Sequence, residues 1–300
     1  MRHGTYSIVA RDPATGELGA AVQSHWFSVG SLCTWARPGI GAVATQSVVE
    51  PAYGPDVLDR LQQDPSLGAQ QALQERLAAD ALSRVRQVGV VDARGEVAVH
   101  TGADCIPCAG HEQGDGFSCQ ANMMAAGTVP AAMAAAFTAA EGDLATRLFT
   151  ALHGAEREGG DVRGRQSAAM VVVPATGAPW QWSVDLRVED HADPLAELAR
   201  LLDLHRAYGL ADTADELMGA GRLDEAGPLY ARAAELAPES DELLFWSGLA
   251  AAQAGDVEGG AAIVARAAAK HDGWRVLLAR LSPEFAPAGA DVRRVLGWEG

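Results

Sequence analysis

The strongest constraint on the fold is the order in which strand-like and helix-like patterns follow one another. Residues 5–11 alternate polar and apolar, Asp12-Pro13-Ala14-Thr15-Gly16 has turn composition, and Glu17 to Val22 is short and apolar, which together predict a β-hairpin. A further extended stretch, Gly39 to Ser47, follows the Arg37-Pro38-Gly39 turn, so three strands are expected before any helix. Helical spacing begins after Pro55 with Val57, Leu58 and Leu61 and resumes past Asp64-Pro65 with Leu67, Ala72, Leu73 and Leu77. Arg86 to Asp92 and Glu96 to Thr101 read as a second hairpin, with Phe117 to Asn122 expected to pair beside it. Next come an alanine-rich helical segment from Pro130 to about Ala140 and an amphipathic one from Leu144 to Glu158. An apolar strand, Ser167 to Val173, and its hairpin partner, Trp180 to Val188, complete the series. Strands grouped in hairpins, with pairs of helices between the groups, specify antiparallel sheets covered by helices rather than βαβ units, and the class is α+β.

Composition changes near Asp190. From Asp193-Pro194 onward Ala, Leu and Glu dominate and β-branched residues thin out, the signature of helix. A chain of 300 residues, 48% hydrophobic, can bury two cores, and we divide it into residues 1–190 and an all-helical segment, 191–300. Within the latter, Gly221-Arg222-Leu223-Asp224-Glu225-Ala226, Tyr230, Ala233 and Pro238 are followed about 34 residues later by Gly255-Asp256-Val257-Glu258, Val264, Ala267 and Asp272. That is the spacing of a tetratricopeptide-type helix-turn-helix repeat, with Gly260 and Asp272 departing from it; an ordinary alanine-rich bundle is the alternative.

The net charge of −16 repels phosphate backbones and anionic lipid head groups, so neither nucleic acid nor a membrane surface is an expected partner. The first residues lack the apolar core of a signal peptide and no later run has membrane-spanning character, so a soluble cytoplasmic protein is expected.

One residue of the first strand carries a chemical possibility. Cleavage between Gly4 and Thr5 would give Thr5 both a nucleophilic hydroxyl and a free α-amine to act as its base. That amine has a reference pKa of about 7.7–8.0, close enough to neutrality to accept the hydroxyl proton directly or through water. Gly4 suits the cut because a residue without Cβ can adopt tight backbone geometry. The plainer reading of Thr5 is a β-branched residue in a strand.

The runs Thr5 to Pro13, Gly41 to Gln46, Tyr53-Gly54-Pro55, Arg86 to Asp92, Thr101 to Cys105 and Gly159 to Ala169 resemble, in order, the DUF1028 family, which is placed in the N-terminal-nucleophile (Ntn) hydrolase superfamily. The resemblance covers residues 4–173 and implies a four-layer αββα sandwich of antiparallel sheets, followed here by the small all-α helical-repeat domain. The resemblance alone does not imply a working hydrolase; the first of two functions expected here is an amidohydrolase that cuts a small amide or peptide bond with Thr5 as nucleophile after loss of residues 1–4, using no cofactor. Superfamily members with a terminal threonine typically keep an acidic residue on the second strand and a lysine on a following one. The corresponding stretches here, Ala21 to His25 and Gly39 to Ala42, hold neither, and the single lysine, Lys270, lies in the helical tail. The positive neighbour of Thr5 is then expected to be an arginine, with Arg11 and Arg37 the nearest candidates in the chain that starts at Thr5, or the amine works without one.

The resemblance also points to Asn122 as an oxyanion donor, and to Asp161, Arg163, Gln166 and Ser167 as residues that orient the nucleophile's amine or the substrate. A capped helix end and tight turn, built on Gly159, Gly160 and Gly164, explains that segment equally well. Ser24 and His25, at the end of the second strand, are weaker substrate-binding candidates. The competing function is a non-catalytic Ntn-fold scaffold whose helical tail binds a peptide or peptidoglycan fragment. The tail's 18 acidic and 10 basic residues favour a cationic ligand there. Helical layers of this superfamily often stack, so a homo-oligomer is expected. Finally, Cys105, Cys108, His111 and Cys119 have a spacing compatible with zinc, and Cys105 and Cys108 with a redox pair; loop or buried thiols are preferred, and no metal is assigned.

Overall fold

The computed structural model describes residues 4–298; residues 1–3, most of the segment whose removal is expected, lie outside the described residues. The chain divides into two compact units between Ala199 and Arg200.

The first hairpin forms as its turn chemistry dictates. Asp12 Oδ1 accepts from Ala14 N at 2.8 Å, Gly16 takes a left-handed φ of 75°, and β1 (Thr5–Arg11) runs back as β2 (Leu18–Ser24), with Thr5 opposite Ser24 and Arg11 opposite Leu18. A one-turn helix, α1 (Gly30–Cys33), and a short strand, β3 (Thr34–Arg37), intervene before β4 (Gly41–Ser47). The expectation of three strands before any helix is thus corrected: α1 is too short to show a helical period, and β3 has no buried alternate face, all four of its residues being half-buried. Next come α2 (Tyr53–Gln63), α3 (Ala69–Ala78), β5 (Arg86–Asp92) and β6 (Val97–Thr101). These are followed by β7 (Gly110–Gly114), β8 (Phe117–Asn122), α4 (Val129–Ala139), α5 (Leu144–Arg157), β9 (Ser167–Val173) and β10 (Val184–Val188).

Two antiparallel sheets result, one of six strands in the order β10-β9-β2-β1-β8-β7 and one of four, β3-β4-β5-β6. The expected pairing of Phe117–Asn122 beside the β5–β6 hairpin is corrected, because β8 lies against β1 in the other sheet. Its apolar alternates, Phe117, Cys119 and Ala121, are buried, and so are its polar ones, Ser118, Gln120 and Asn122. The edge strand β7, Gly-His-Glu-Gln-Gly, has no apolar position and gives no strand signal.

Small residues let the sheets approach: Val9, Ala20, Ala42, Ala44, Val91, Val171 and Val173 form one buried cluster drawn from both. Val43, Val88 and Val90, on the opposite face of the four-stranded sheet, pack on Tyr53, Val57, Leu58, Leu61 and Leu73 of α2 and α3. Gly54 is required there, since a Cβ on it would stand 2.1 Å from the Trp35 ring. Against the six-stranded sheet, α5 brings Leu148 over Gly19 and α4 sets Phe137 against Phe117, the rings tilted by 47° with centroids 4.7 Å apart. Asp143 caps α5 by accepting from Thr146 N at 2.8 Å.

Helix α6 (Pro194–Gly219) leads into the second unit, which continues as α7 (Leu223–Leu236), α8 (Asp241–Gln253), α9 (Val257–Lys270), α10 (Gly273–Arg280) and α11 (Gly289–Leu296). Helices α8 and α9 touch backbone to backbone: a Cβ on Gly260 would stand 2.3 Å from Gly248 O. Among the described residues no helix is long and apolar enough to cross a membrane.

Candidate functional site

Register, rather than sequence proximity, assembles the site. Ser167 of β9 stands opposite Ser24 of β2, Ser24 opposite Thr5 of β1, and Thr5 opposite Asn122 of β8. Directly opposed residues share a face of the sheet, so the four polar side chains form one transverse row, and all are buried. Thr5 Oγ1 donates to Ser24 Oγ at 3.1 Å, and Ser24 Oγ donates in turn to the carbonyl oxygen of Gly4. The same oxygen accepts from Arg163 Nη2 at 2.8 Å. The carbonyl preceding Thr5 therefore carries two donors, one of them cationic.

Asp161 anchors that arginine. Its carboxylate accepts from Arg163 Nη2 at 2.7 Å, Arg163 Nε at 3.1 Å, Arg163 N at 2.9 Å and His25 N at 3.2 Å. A carboxylate without solvent exposure must have such partners, because an unpaired buried charge is strongly destabilising.

Behind Thr5 lies a buried amide network that sequence reasoning missed. Gln46 Nε2 donates to Thr5 O at 3.2 Å, Gln120 O at 3.1 Å and Gln87 Oε1 at 2.8 Å. Gln46 Oε1 accepts from Ser7 Oγ at 2.6 Å, and that hydroxyl accepts from Gln120 Nε2 at 2.7 Å. Gly89 opens the space, since a Cβ there would stand 2.4 Å from Gln120 Oε1. The available signal was parity: in β4, β5 and β8 the polar alternates Gln46, Gln87 and Gln120 occupy strands with no solvent-facing side. Ser47 and Met123, the residues just after Gln46 and Asn122, take positive φ values of 73° and 61°. Such conformations cost energy and cluster at functional sites. Beside Ser47 lies a cleft of about 270 Å³ lined also by Val48, Val85 and Asp104 to Pro107.

The structure brings together Thr5, Ser24, Asn122, Asp161 and Arg163, with Ser167 one strand away. Ser167 Oγ donates to Trp26 O at 2.5 Å and accepts from Val29 N at 3.1 Å, so it holds the segment after β2. His25 contributes its backbone N–H, while its ring Nδ1 lies 3.2 Å from Arg165 O. Gln166 Nε2 is committed to Asp190 Oδ1 at 3.1 Å.

Two expectations are corrected. Arg11 ends β1, about 20 Å from Thr5 at about 3.3 Å per strand residue. Arg37 lies at the Gly41 end of β4, opposite to Gln46, and pairs with Asp59 at 2.8 Å. Among the described residues, the positive group beside Thr5 is Arg163. Asn122, expected as an oxyanion donor, spends Nδ2 on Gln87 Oε1 at 3.0 Å and Thr5 O at 3.4 Å, and its buried Oδ1 has no partner among the described residues.

Among the described residues no three His, Cys, Asp or Glu side chains are grouped to hold a metal. Cys105 Sγ donates to Arg86 O, and His111 Nδ1 lies 2.9 Å from Thr101 Oγ1. Burial pushes the Cys119 thiol up, and burial lowers His111.

A family model described as a family of unknown function (DUF1028) matches residues 5–198. No curated protein matches the chain. Among solved structures, the chain resembles a protein of Silicibacter pomeroyi, also of DUF1028, with 28% identity and a TM-score of 0.60 over 66% of this chain and 88% of that one. The Anbu (ancestral beta-subunit) protein of Yersinia bercovieri matches with 13% identity and a TM-score of 0.32, over 68% of this chain and 93% of that one.

Proposed function

The chain belongs to the DUF1028 family, and on that premise we propose that it is an Ntn-type amidohydrolase that activates itself by cutting Gly4 from Thr5. The helix pair α4–α5, the two sheets and the pair α2–α3 are then the four layers of an αββα sandwich. The observation that carries the reading is the Gly4 carbonyl, polarised by Ser24 Oγ and Arg163 Nη2 while Thr5 Oγ1 hydrogen-bonds Ser24.

In the self-cleavage step Thr5 Oγ1 bonds to the Gly4 carbonyl carbon while its proton passes to Ser24 Oγ and the serine's own proton passes to the carbonyl oxygen, so that Ser24 stays neutral. The C–N bond to Thr5 then breaks, its nitrogen taking up the proton, and water hydrolyses the resulting ester to release the acid. Two preorganised donors on the developing oxyanion, one of them a guanidinium, are the largest catalytic effect available here. The freed amine becomes the base, and the same donors serve a substrate amide: its acyl group moves to Thr5 Oγ1, its amine leaves protonated, and water restores the hydroxyl. Arg163, fixed by Asp161, supplies positive field but not a proton, the role a lysine has in other threonine-type members.

The test is labelling with a β-lactone probe that acylates a terminal threonine. Wild-type protein should take up one equivalent at Thr5 and Thr5→Ala none; equal labelling of the two would remove the assignment of Thr5.

A second reading, a peptide-binding tetratricopeptide-type tail, draws support from an apolar cavity of about 190 Å³ in the second unit, lined by Leu223, Tyr230, Leu244 and Ile263 among others. Under that reading Thr5→Ala leaves peptide binding and cellular function intact.

A further inference from the structure

Gly4 is the first acyl group that Thr5 would carry, and its surroundings describe the space any later acyl group must fit; this step rests on the hydrolase reading above. Space demands glycine here. An L-configured Cβ on Gly4 would stand 2.8 Å from Asp161 Oδ2, 2.9 Å from Arg163 Nη2 and 3.0 Å from Asp161 Oδ1.

Overlap of this kind is relieved easily when the neighbour is the loose end of an exposed side chain, and neither neighbour is one. The Asp161 side chain has no exposure, and four donated hydrogen bonds hold its carboxylate. Arg163 Nη2 is pinned between Asp161 Oδ2 at 2.7 Å and Gly4 O at 2.8 Å. Moving either atom breaks the contacts that polarise the carbonyl. A methyl group would also press an apolar surface against a buried carboxylate that it cannot hydrogen-bond.

A substrate amide must put its carbonyl oxygen on the same two donors, Ser24 Oγ and Arg163 Nη2, and this fixes its α-carbon where Gly4 Cα lies. We propose that the Asp161–Arg163 pair is the specificity wall of the acyl subsite, confining substrates to amides of glycyl or similarly unsubstituted acyl groups. The transfer needs only the amide and water: the acyl carbon exchanges its bond to nitrogen for one to Thr5 Oγ1, the amine departs with the proton, and hydrolysis returns the acid.

The experiment has two arms. The first compares self-cleavage of wild-type and Gly4→Ala protein by intact mass; the second compares hydrolysis of acetylglycyl, acetyl-L-alanyl and acetyl-L-leucyl coumarin amides by the cleaved wild-type protein, which guards against misfolding of the variant. Self-cleavage of Gly4→Ala should slow by about 100-fold, kcat/KM should fall by about 100-fold from the glycyl to the L-alanyl substrate, and the L-leucyl substrate should be inert. Cleavage of Gly4→Ala at the wild-type rate, comparable turnover of the alanyl substrate, or failure to hydrolyse any of the three would overturn the wall while leaving self-cleavage standing. A wild-type chain that never loses its first four residues would remove the hydrolase reading and the wall together.

Discussion

Replacing Arg163 by methionine separates the two tasks assigned to its guanidinium. One is structural: Asp161 has no solvent exposure and Arg163 supplies three of its four hydrogen bonds, two from the guanidinium. Removing one member of a buried pair costs about 3–5 kcal/mol, and because the Arg163 side chain is 27% exposed, so that water reaches the gap, the lower end is expected. The other task is electrostatic: the 2.8 Å bond to Gly4 O is lost, and a missing oxyanion donor slows acyl transfer by about 100- to 1,000-fold. Urea unfolding reads the first and the time course of self-cleavage by intact mass reads the second. Adding Asp161→Asn removes the stranded charge, so the double variant should regain most of the lost stability while cleaving as slowly as the single one. Arg163→Met cleaving at the wild-type rate despite its lowered stability would refute the electrostatic role and leave Arg163 as a structural residue alone.

Three further outcomes follow from the same contacts. Ser24→Ala removes the second donor on the Gly4 carbonyl and the acceptor of the Thr5 hydroxyl, and should slow self-cleavage by about 100-fold or more with near-UV circular dichroism unchanged. Gly54→Ala drives a methyl group into the Trp35 ring and should lower stability by about 1–3 kcal/mol in urea titration without altering the cleavage rate at permissive concentrations. At Asp80 burial opposes ionisation, but hydrogen bonds from Arg86, Leu82 N and Tyr53 outweigh it and hold the carboxyl below its ordinary range. With the folded pKa depressed, the stabilisation is complete above the unfolded value of about 3.9 and is lost as pH falls through the folded value. Asp80→Asn should therefore flatten the acid limb of the stability curve below about pH 4, and an unchanged limb would contradict the assignment.

Much of the first unit was legible because its local signals agree. Asp12 and Gly16 announce the β1–β2 turn, and Leu144, Leu148 and Leu152 mark the buried stripe of α5. The site was legible only in part. Thr5, Ser24, Asn122 and Ser167 are spread over more than 160 residues and meet through strand register, which no local pattern encodes. Arg11 and Arg37 are the first arginines after Thr5 along the chain yet lie at the far ends of their strands, whereas Arg163 comes close through the turn after α5. Gln46, Gln87 and Gln120 were hidden because a polar residue at alternate strand positions ordinarily faces water; here they satisfy one another between two sheets.

The central claim is that the Gly4–Thr5 bond is cut by Thr5 itself. Intact mass and N-terminal sequencing of folded, purified protein test it most directly. Wild-type chain should begin at Thr5, with Met1 to Gly4 released as one tetrapeptide, and Thr5→Ala should retain Gly4. Folded wild-type protein found only at full length, or lacking Met1 alone, would contradict it.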